Sequence, residues 1–341
     1  MKMRWVLLLL TLGLASCEAD RPAWQYGFTA MGTEIRILIA GAETRDPTSH
    51  FAAVEARLAQ IGVDFYAWAD GELADLNSAL AEGRSFQASH DMAGLLAQAQ
   101  NLSRLSGGAF DPGIGALIEL WGFHQPRPGL PGTPPADDRI DAVLQGCIGI
   151  ARITLRGRQV ASDCRGPLLD LSGIAKGFAV DEAMSLLRAR GIANALIDAG
   201  GDLRAMGRNG RRAWRVGIQD PRSEGALGSI ALSSGEAAFT SGDYARYFTH
   251  EDTRYAHVID PTTGRPVEHT ASITVLGGRG IAADAASTAL MVAGPETWRT
   301  MAERLGTRAV LRVDADGSVD MTRVFGGRLE PVPATPTGAA D

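Results

Sequence analysis

The order of helical and strand-like segments limits the fold of this chain more than any single motif does. Apolar residues recur at helical spacing over residues 50–62 and 91–106, and Gly107 and Gly108 close the second of these segments. "TEIRILIA" alternates Ile35, Ile37 and Ile39 with polar or smaller neighbours, the pattern of a strand with one wet face. "ITL" and "QVA" flank "RGR" as the two arms of a hairpin. A helix follows Gly173, with Ala179, Ala183, Leu186 and Leu187 on one face and Gly191 at its end. "NALIDAGGDLRAMG" reads as a buried strand running into a Gly-Gly-Asp turn, and glycine-punctuated strands follow it. "IAADAASTALMVAG" is a helix of small residues, and Pro295 opens the next helix at its first turn. "RAVLRVDADGSVDMT" is a hairpin with an Asp-Gly turn. Long helices and locally paired strands thus mix without a regular βαβ alternation. The predicted class is α+β, not a doubly wound parallel sheet.

The ends are read apart from this pattern. "MKMR" is basic, "WVLLLLTLGLA" is apolar but short for a bilayer span, and "LASC" follows. Small residues before Cys17 resemble a bacterial lipobox, which implies a signal peptide over residues 1–16 and lipidation of Cys17. A plain secretory signal with a chance cysteine is the alternative, and both export the chain. Residues 17–26 are assigned to a tether, 27–326 to one large domain, and the Pro/Gly/Ala/Thr-rich 327–341 to a disordered tail. Cys147 and Cys164 remain, and their pairing depends on a Cα separation the sequence does not give. A net charge of −6 offers no basic excess, so nucleic acid is excluded as the main partner.

Two segments carry most of the candidate chemistry. "LDLSGIAKGFAVDEA" sets Lys176 in the first turn of a helix, near Asp170 and Gly173. It is no P-loop, because the lysine precedes the second glycine and Phe178 stands where a hydroxyl is needed. A helix N-terminus repels a lysine, so Lys176 either serves an anionic ligand or is a solvated surface residue. In "AADAASTALMV", Asp284 and Thr288 are four residues apart on one helix face, with Ser287 beside them. A carboxylate and hydroxyls suit Mg²⁺, which takes few carboxylates and keeps waters and phosphate oxygens. The alternative is an aspartate that only marks the start of a close-packed helix. Three weaker segments add His257 and the turn after it in "HVIDPTTGRPV", Asp111 in "GGAFDPGIGALIELWGF", and Thr240, Ser241 and Asp243 in "TSGDYARYF".

These segments, with "AMGTEIRI" and "LIDAGGDLRAMG", resemble in order and spacing the FAD:protein FMN transferases, the ApbE-like flavin transferases, over roughly residues 29–293. The resemblance implies an α+β catalytic domain with a core related to tunnelling folds, FAD as substrate and Mg²⁺ as cofactor. It implies transfer of FMN from FAD to a Thr or Ser hydroxyl of a partner protein through a phosphoester, with release of AMP. The acceptor would be a domain of a membrane redox complex, and the enzyme a lipoprotein on the periplasmic face of the inner or outer membrane. An FAD pyrophosphatase giving FMN and AMP, or a non-catalytic FAD-binding lipoprotein, are the alternatives. Residue by residue, the resemblance assigns Met31 to the flavin site, Ala109, Phe110 and Asp111 to the FAD pocket, and Asp170 and Lys176 to dinucleotide contacts. Ile259 is expected on the ligand. The metal falls to the Gly173 carbonyl, Asp284 and Thr288, with Ser287 adjoining. His257 and Asp284 are the expected catalytic residues, His257 acting as a base near neutral pH. The chain departs from the family pattern twice. Ser172 replaces a glycine, and "YAWADGELADLN" leaves Tyr66 and Trp68 to compete for the flavin-stacking position, assigned here to Trp68.

Overall fold

The computed structural model describes residues 23–41, 46–125 and 132–331. The predicted signal peptide, Cys17, residues 126–131 of the Pro/Gly-rich loop and the end of the tail lie outside the described residues. One eight-stranded sheet organises the rest, made of β1 (Trp24–Ala30), β2 (Thr33–Ile39), β3 (Ala195–Ala199), β4 (Asp202–Met206), β5 (Ala237–Gly242), β6 (Thr270–Gly277), β7 (Ala309–Asp314) and β8 (Val319–Met321). The strands lie side by side in chain order, each antiparallel to the next. The helices and small hairpins are excursions between neighbouring strands, which is why no βαβ pattern shows in the sequence.

The period of two sorts the side chains of this sheet. Ile35, Ile37, Ile39, Ile197, Phe239, Ile273 and Val275 face the helical layer, formed by α1 (Thr48–Asp64), α2 (Glu72–Ala81), α3 (His90–Ser106), α6 (Ser172–Ala189) and α7 (Gly280–Arg304). Leu196, Ala205, Ala238, Leu311 and Val313 face the other way, onto the strand pair Trp214–Gln219 and Ala226–Leu232. The predicted helices form where the periodicity puts them. In α1, Phe51, Val54, Leu58 and Ile61 are buried at spacings of three and four. In α3, the Ser89 side chain accepts the Met92 N–H at 3.1 Å and Gly107 closes the helix in the left-handed region. Gly294, at φ 73°, separates the two helical stretches of α7 ahead of Pro295. A smaller apolar cluster of Leu117, Trp121, Phe123, Ile140, Phe248 and Ile259 lies under α4 (Gly115–Leu120) and α5 (Asp137–Leu144).

Both domain boundaries shift. Trp24, Gln25 and Tyr26, assigned to the tether, pair in β1 with Ile39, Leu38 and Ile37. At the other end, Glu330 bridges Ser229, Arg328 pairs with Glu236 at 2.6 Å, and Leu329 packs on the second face of the sheet. The polar, proline-rich composition beyond residue 327 masked that anchoring. Cys147 and Cys164 are joined as a disulfide with their Cα atoms 5.9 Å apart. Among the described residues, no helix is long and apolar enough to cross a membrane.

Candidate active site at the crossing of two helices

The site is built where α6 crosses α7, and glycine makes the crossing. A Cβ on Gly177 would lie 2.4 Å from the Gly280 carbonyl oxygen, and one on Gly280 would lie 2.6 Å from that of Gly177. Only two glycines let the backbones meet so closely. The second glycine of "GIAKG" therefore serves helix packing. Each glycine N–H then donates across the crossing, Gly177 to Asp284 Oδ2 at 2.8 Å and Gly280 to Asp181 Oδ1 at 2.7 Å.

Asp284 is buried, and it ends up beside Lys176. The Lys176 ammonium, about a third exposed, pairs directly with Asp202 of β4. Burial alone would pull Lys176 down, but the Asp202 and Asp284 carboxylates override it and hold the lysine above its usual value. Asp284 is pushed up to about 7, chiefly by burial; Lys176 and the Gly177 N–H oppose the rise, and Asp202 and Asp181 add to it. Next to it lies a hydroxyl cluster. Ser241 of β5 reaches Ser287 at 2.8 Å and Thr288 at 3.3 Å, and both α7 hydroxyls bond back to the Asp284 carbonyl. Gly173 closes the group, since a Cβ there would sit 3.6 Å from Thr288 Oγ1 and 3.4 Å from the Phe110 ring. The carboxylate and the hydroxyls form an all-oxygen donor set beside Gly173.

The remaining expected residues divide. Asp170, mostly buried, accepts the Trp68 indole N–H at 2.9 Å and the Ser172 N–H at 2.8 Å, tying an aromatic face to the start of α6. Trp68 lies 5.0 Å, ring to ring, from His124, whereas Tyr66 is exposed and reaches only the His124 carbonyl at 3.5 Å. Ser172 does not have a positive φ, so a serine in place of glycine strains nothing there. Met31 occupies the β1–β2 turn at φ 52°, held against Gly62. That turn is at the same end of the sheet as Gly200 and Asp202, with Thr33 against Gly200. Ala109 is half-buried between Gly108 and the buried Phe110.

Asp111 and Ile259 are engaged elsewhere. One oxygen of the Asp111 carboxylate accepts the N–H groups of Gly113 and Ile150, each at 2.7 Å, so it clamps a loop. Ile259 is 3% exposed inside the smaller apolar cluster, which leaves little of it for a ligand.

His257 departs from the expectation of a residue titrating near neutral pH. Its Nδ1 and its backbone N–H both face the Arg246 carbonyl, at 3.1 and 3.0 Å. A carbonyl only accepts, so Nδ1 carries the proton and Nε2 is left as the acceptor. Burial first, then the Arg246 charge, with a smaller push from Lys176, lower its pKa to about 3. The ring is neutral throughout the physiological range.

The sequence patterns assign no such roles to Asp181, Asp202, Ser241 or Gly280, although Asp181, Asp202 and Ser241 all lie in the segments quoted above. Asp181 caps α7, accepting from Gly280 and Ile281, and pairs with Arg204 of β4. A signal was available in the paired pattern Gly-x-x-x-Asp in "GFAVD" and "GIAAD", which puts a glycine and an aspartate on one face of each helix.

The chain matches the ApbE family over residues 31–311. A Rhodobacter capsulatus protein named FAD:protein FMN transferase is 40% identical over 95% of this chain and 62% of its own length. This chain thus spans less than two thirds of that relative. A Haemophilus influenzae protein of the same name is 31% identical over 91% of this chain and 92% of its own length. Among solved structures, the ApbE protein of Thermotoga maritima superposes with a TM-score of 0.81 at 29% identity, over 90% of this chain and 99% of its own. The flavin transferase ApbE of Vibrio cholerae gives a TM-score of 0.79 at 30% identity, over 90% and 100%.

Proposed function

Because this chain belongs to the ApbE family, we propose that it is an FAD:protein FMN transferase, moving FMN from FAD onto a Thr or Ser hydroxyl of a partner protein through a phosphoester and releasing AMP. The observation that carries this is the convergence of Asp284, Thr288, Ser287, Lys176 and Gly173 at one helix crossing. The all-oxygen donor set with a single carboxylate fits Mg²⁺, held by Asp284, Thr288 and the Gly173 carbonyl with Ser287 adjoining. Mg²⁺ at that position would neutralise charge building on the diphosphate.

The chain's own groups do the rest. Lys176 and the N–H groups at the start of α6 offset the diphosphate charge. Trp68, fixed by Asp170, offers an aromatic face to the flavin. His257 supplies a neutral Nε2 to take the acceptor proton. Its low pKa makes it a weak base before substrate binds, and an anionic diphosphate beside Lys176 would raise it.

The disulfide supports an exported chain, since such bonds persist in oxidising compartments. The proposed setting is a lipoprotein anchored through Cys17 at the periplasmic face of the inner or outer membrane, serving an acceptor domain of a membrane redox complex.

One experiment tests the proposal. The purified protein is incubated with FAD, Mg²⁺ and a candidate acceptor domain, and AMP release and acceptor mass are followed together. AMP with a matching mass gain of one FMN is the expected result. AMP alone means an FAD pyrophosphatase, with water in place of the hydroxyl. Neither product, with FAD still bound, means a carrier.

A further inference from the structure

β5 ends at Gly242, where the chain turns and the Asp243 N–H bonds to the Ala271 carbonyl at 2.9 Å. The Tyr244 ring folds back over that turn. A Cβ on Gly242 would stand 2.4 Å from the ring, so the glycine is what lets the ring lie there. Gly242 follows Ser241, whose hydroxyl belongs to the cluster on Ser287 and Thr288. Tyr244 thus lies at the end of the strand that carries Ser241, close enough to Asp202 and Lys176 for their charges to act on its phenol. The neighbouring polar groups are already engaged: Asp243 holds Arg222 through both oxygens, Lys176 holds Asp202, and Ser241 holds Ser287. Among the described residues, the Tyr244 hydroxyl has no hydrogen-bond partner.

We propose that the Tyr244 hydroxyl is a catalytic group of this site, donating a hydrogen bond to a phosphate oxygen of the bound dinucleotide diphosphate. This rests on the transferase reading above. The charges acting on the phenol are consistent with its location, because Asp202, Asp243 and Lys176 are all within electrostatic range of it. Burial first, then Asp202 and Asp243, raise its pKa above the usual tyrosine value. The phenol therefore keeps its proton, and it adds a donor beside the diphosphate without adding negative charge.

In the step itself, the acceptor oxygen bonds to the phosphorus of the FMN half while the bond from that phosphorus to the bridging oxygen breaks. The electron pair leaves on that oxygen with AMP, and the acceptor proton passes to His257 Nε2. Tyr244 stays protonated throughout and steadies the charge that accumulates on the phosphate.

Tyr244→Phe tests this, because it keeps the ring on Gly242 and removes only the hydroxyl. Expected is a fall in kcat for AMP release of roughly 10²-fold, the size of losing one preorganised donor, with FAD affinity changed by no more than about threefold. An unchanged melting temperature would show that the fold is kept. A variant with kcat within about twofold of the wild type, or one that loses only FAD affinity, overturns the assignment. A wild-type chain that releases no AMP under the same conditions sinks the transferase reading, and the Tyr244 role falls with it; an active wild type beside an equally active Tyr244→Phe removes the Tyr244 role alone.

Discussion

Asp181 and Asp284 occupy equivalent positions on two crossing helices and have opposite fates. Each lies four residues after a glycine, each is buried, and each accepts the N–H of the glycine on the other helix. What differs is the cation. Asp181 has Arg204 bonded to it and Arg279 within 3.7 Å. Asp284 faces Lys176, but that lysine is bonded to Asp202; burial, which Lys176 only partly offsets, pushes Asp284 up to about 7. The same backbone device therefore yields a structural clamp on one side and, on the other, a buried carboxyl with a raised pKa. Geometry alone does not tell the two roles apart; the accounting of local charge does.

Three substitutions would break or sharpen that contrast. The largest effect is expected from Asp284→Ala, which removes the single carboxylate of the proposed metal site and should lower Mg²⁺-dependent AMP release on the order of 10³-fold. Full turnover in that variant would refute the metal assignment. Asp181→Ala should instead cost about 3–5 kcal/mol of stability in urea titrations, because it leaves Arg204 half-stranded and two N–H groups of α7 uncapped. The folded fraction should still turn over FAD, and a catalytic defect larger than the loss of folded protein would erase the distinction between the two aspartates. The smallest effect is a gain. Asp284→Asn should stabilise the metal-free chain by about 1–3 kcal/mol above pH 7. The sign follows from a carboxyl raised from 3.8 to about 7: ionisation favours the unfolded chain as pH rises between those values, and the penalty is full above the upper one. The gain should shrink as pH falls from about 7 towards 3.8. A gain that does not depend on pH would mean that Asp284 is not the source of the penalty.

The contrast also explains what the sequence could reveal. Asp284 and Thr288 are neighbours on one helix, and their face was predictable from spacing alone. Lys176 stood out because a lysine is unfavourable at a helix start. The strands of the sheet were legible from alternation in "TEIRILIA" and from glycine turns in "DAGGD". The partners of Asp284 and Asp181 were not, because each lies across a crossing with a large chain separation, and a hydrogen bond to a glycine N–H has no side-chain signature. His257 was found, but its depressed pKa was not, since that depends on burial and on the charge of Arg246. Asp111 is assigned to the FAD pocket by the resemblance alone; the fold adds that one oxygen of its carboxylate holds the Gly113 and Ile150 N–H groups, a partnership across the chain that no local pattern announces.

The chain-order sheet has a consequence for how the molecule is made. β1 and β2 emerge first, but β2 pairs along its other edge with β3, Ile35 opposite Ala199 and Ile39 opposite Ala195. Between them lie six described α-helices and the Cys147–Cys164 disulfide. Until β3 is made the isoleucine-rich edge of β2 is unsatisfied, a sticky seam open to any strand-forming neighbour. A nascent chain of this design is open to mispairing along β2 until its middle third has arrived.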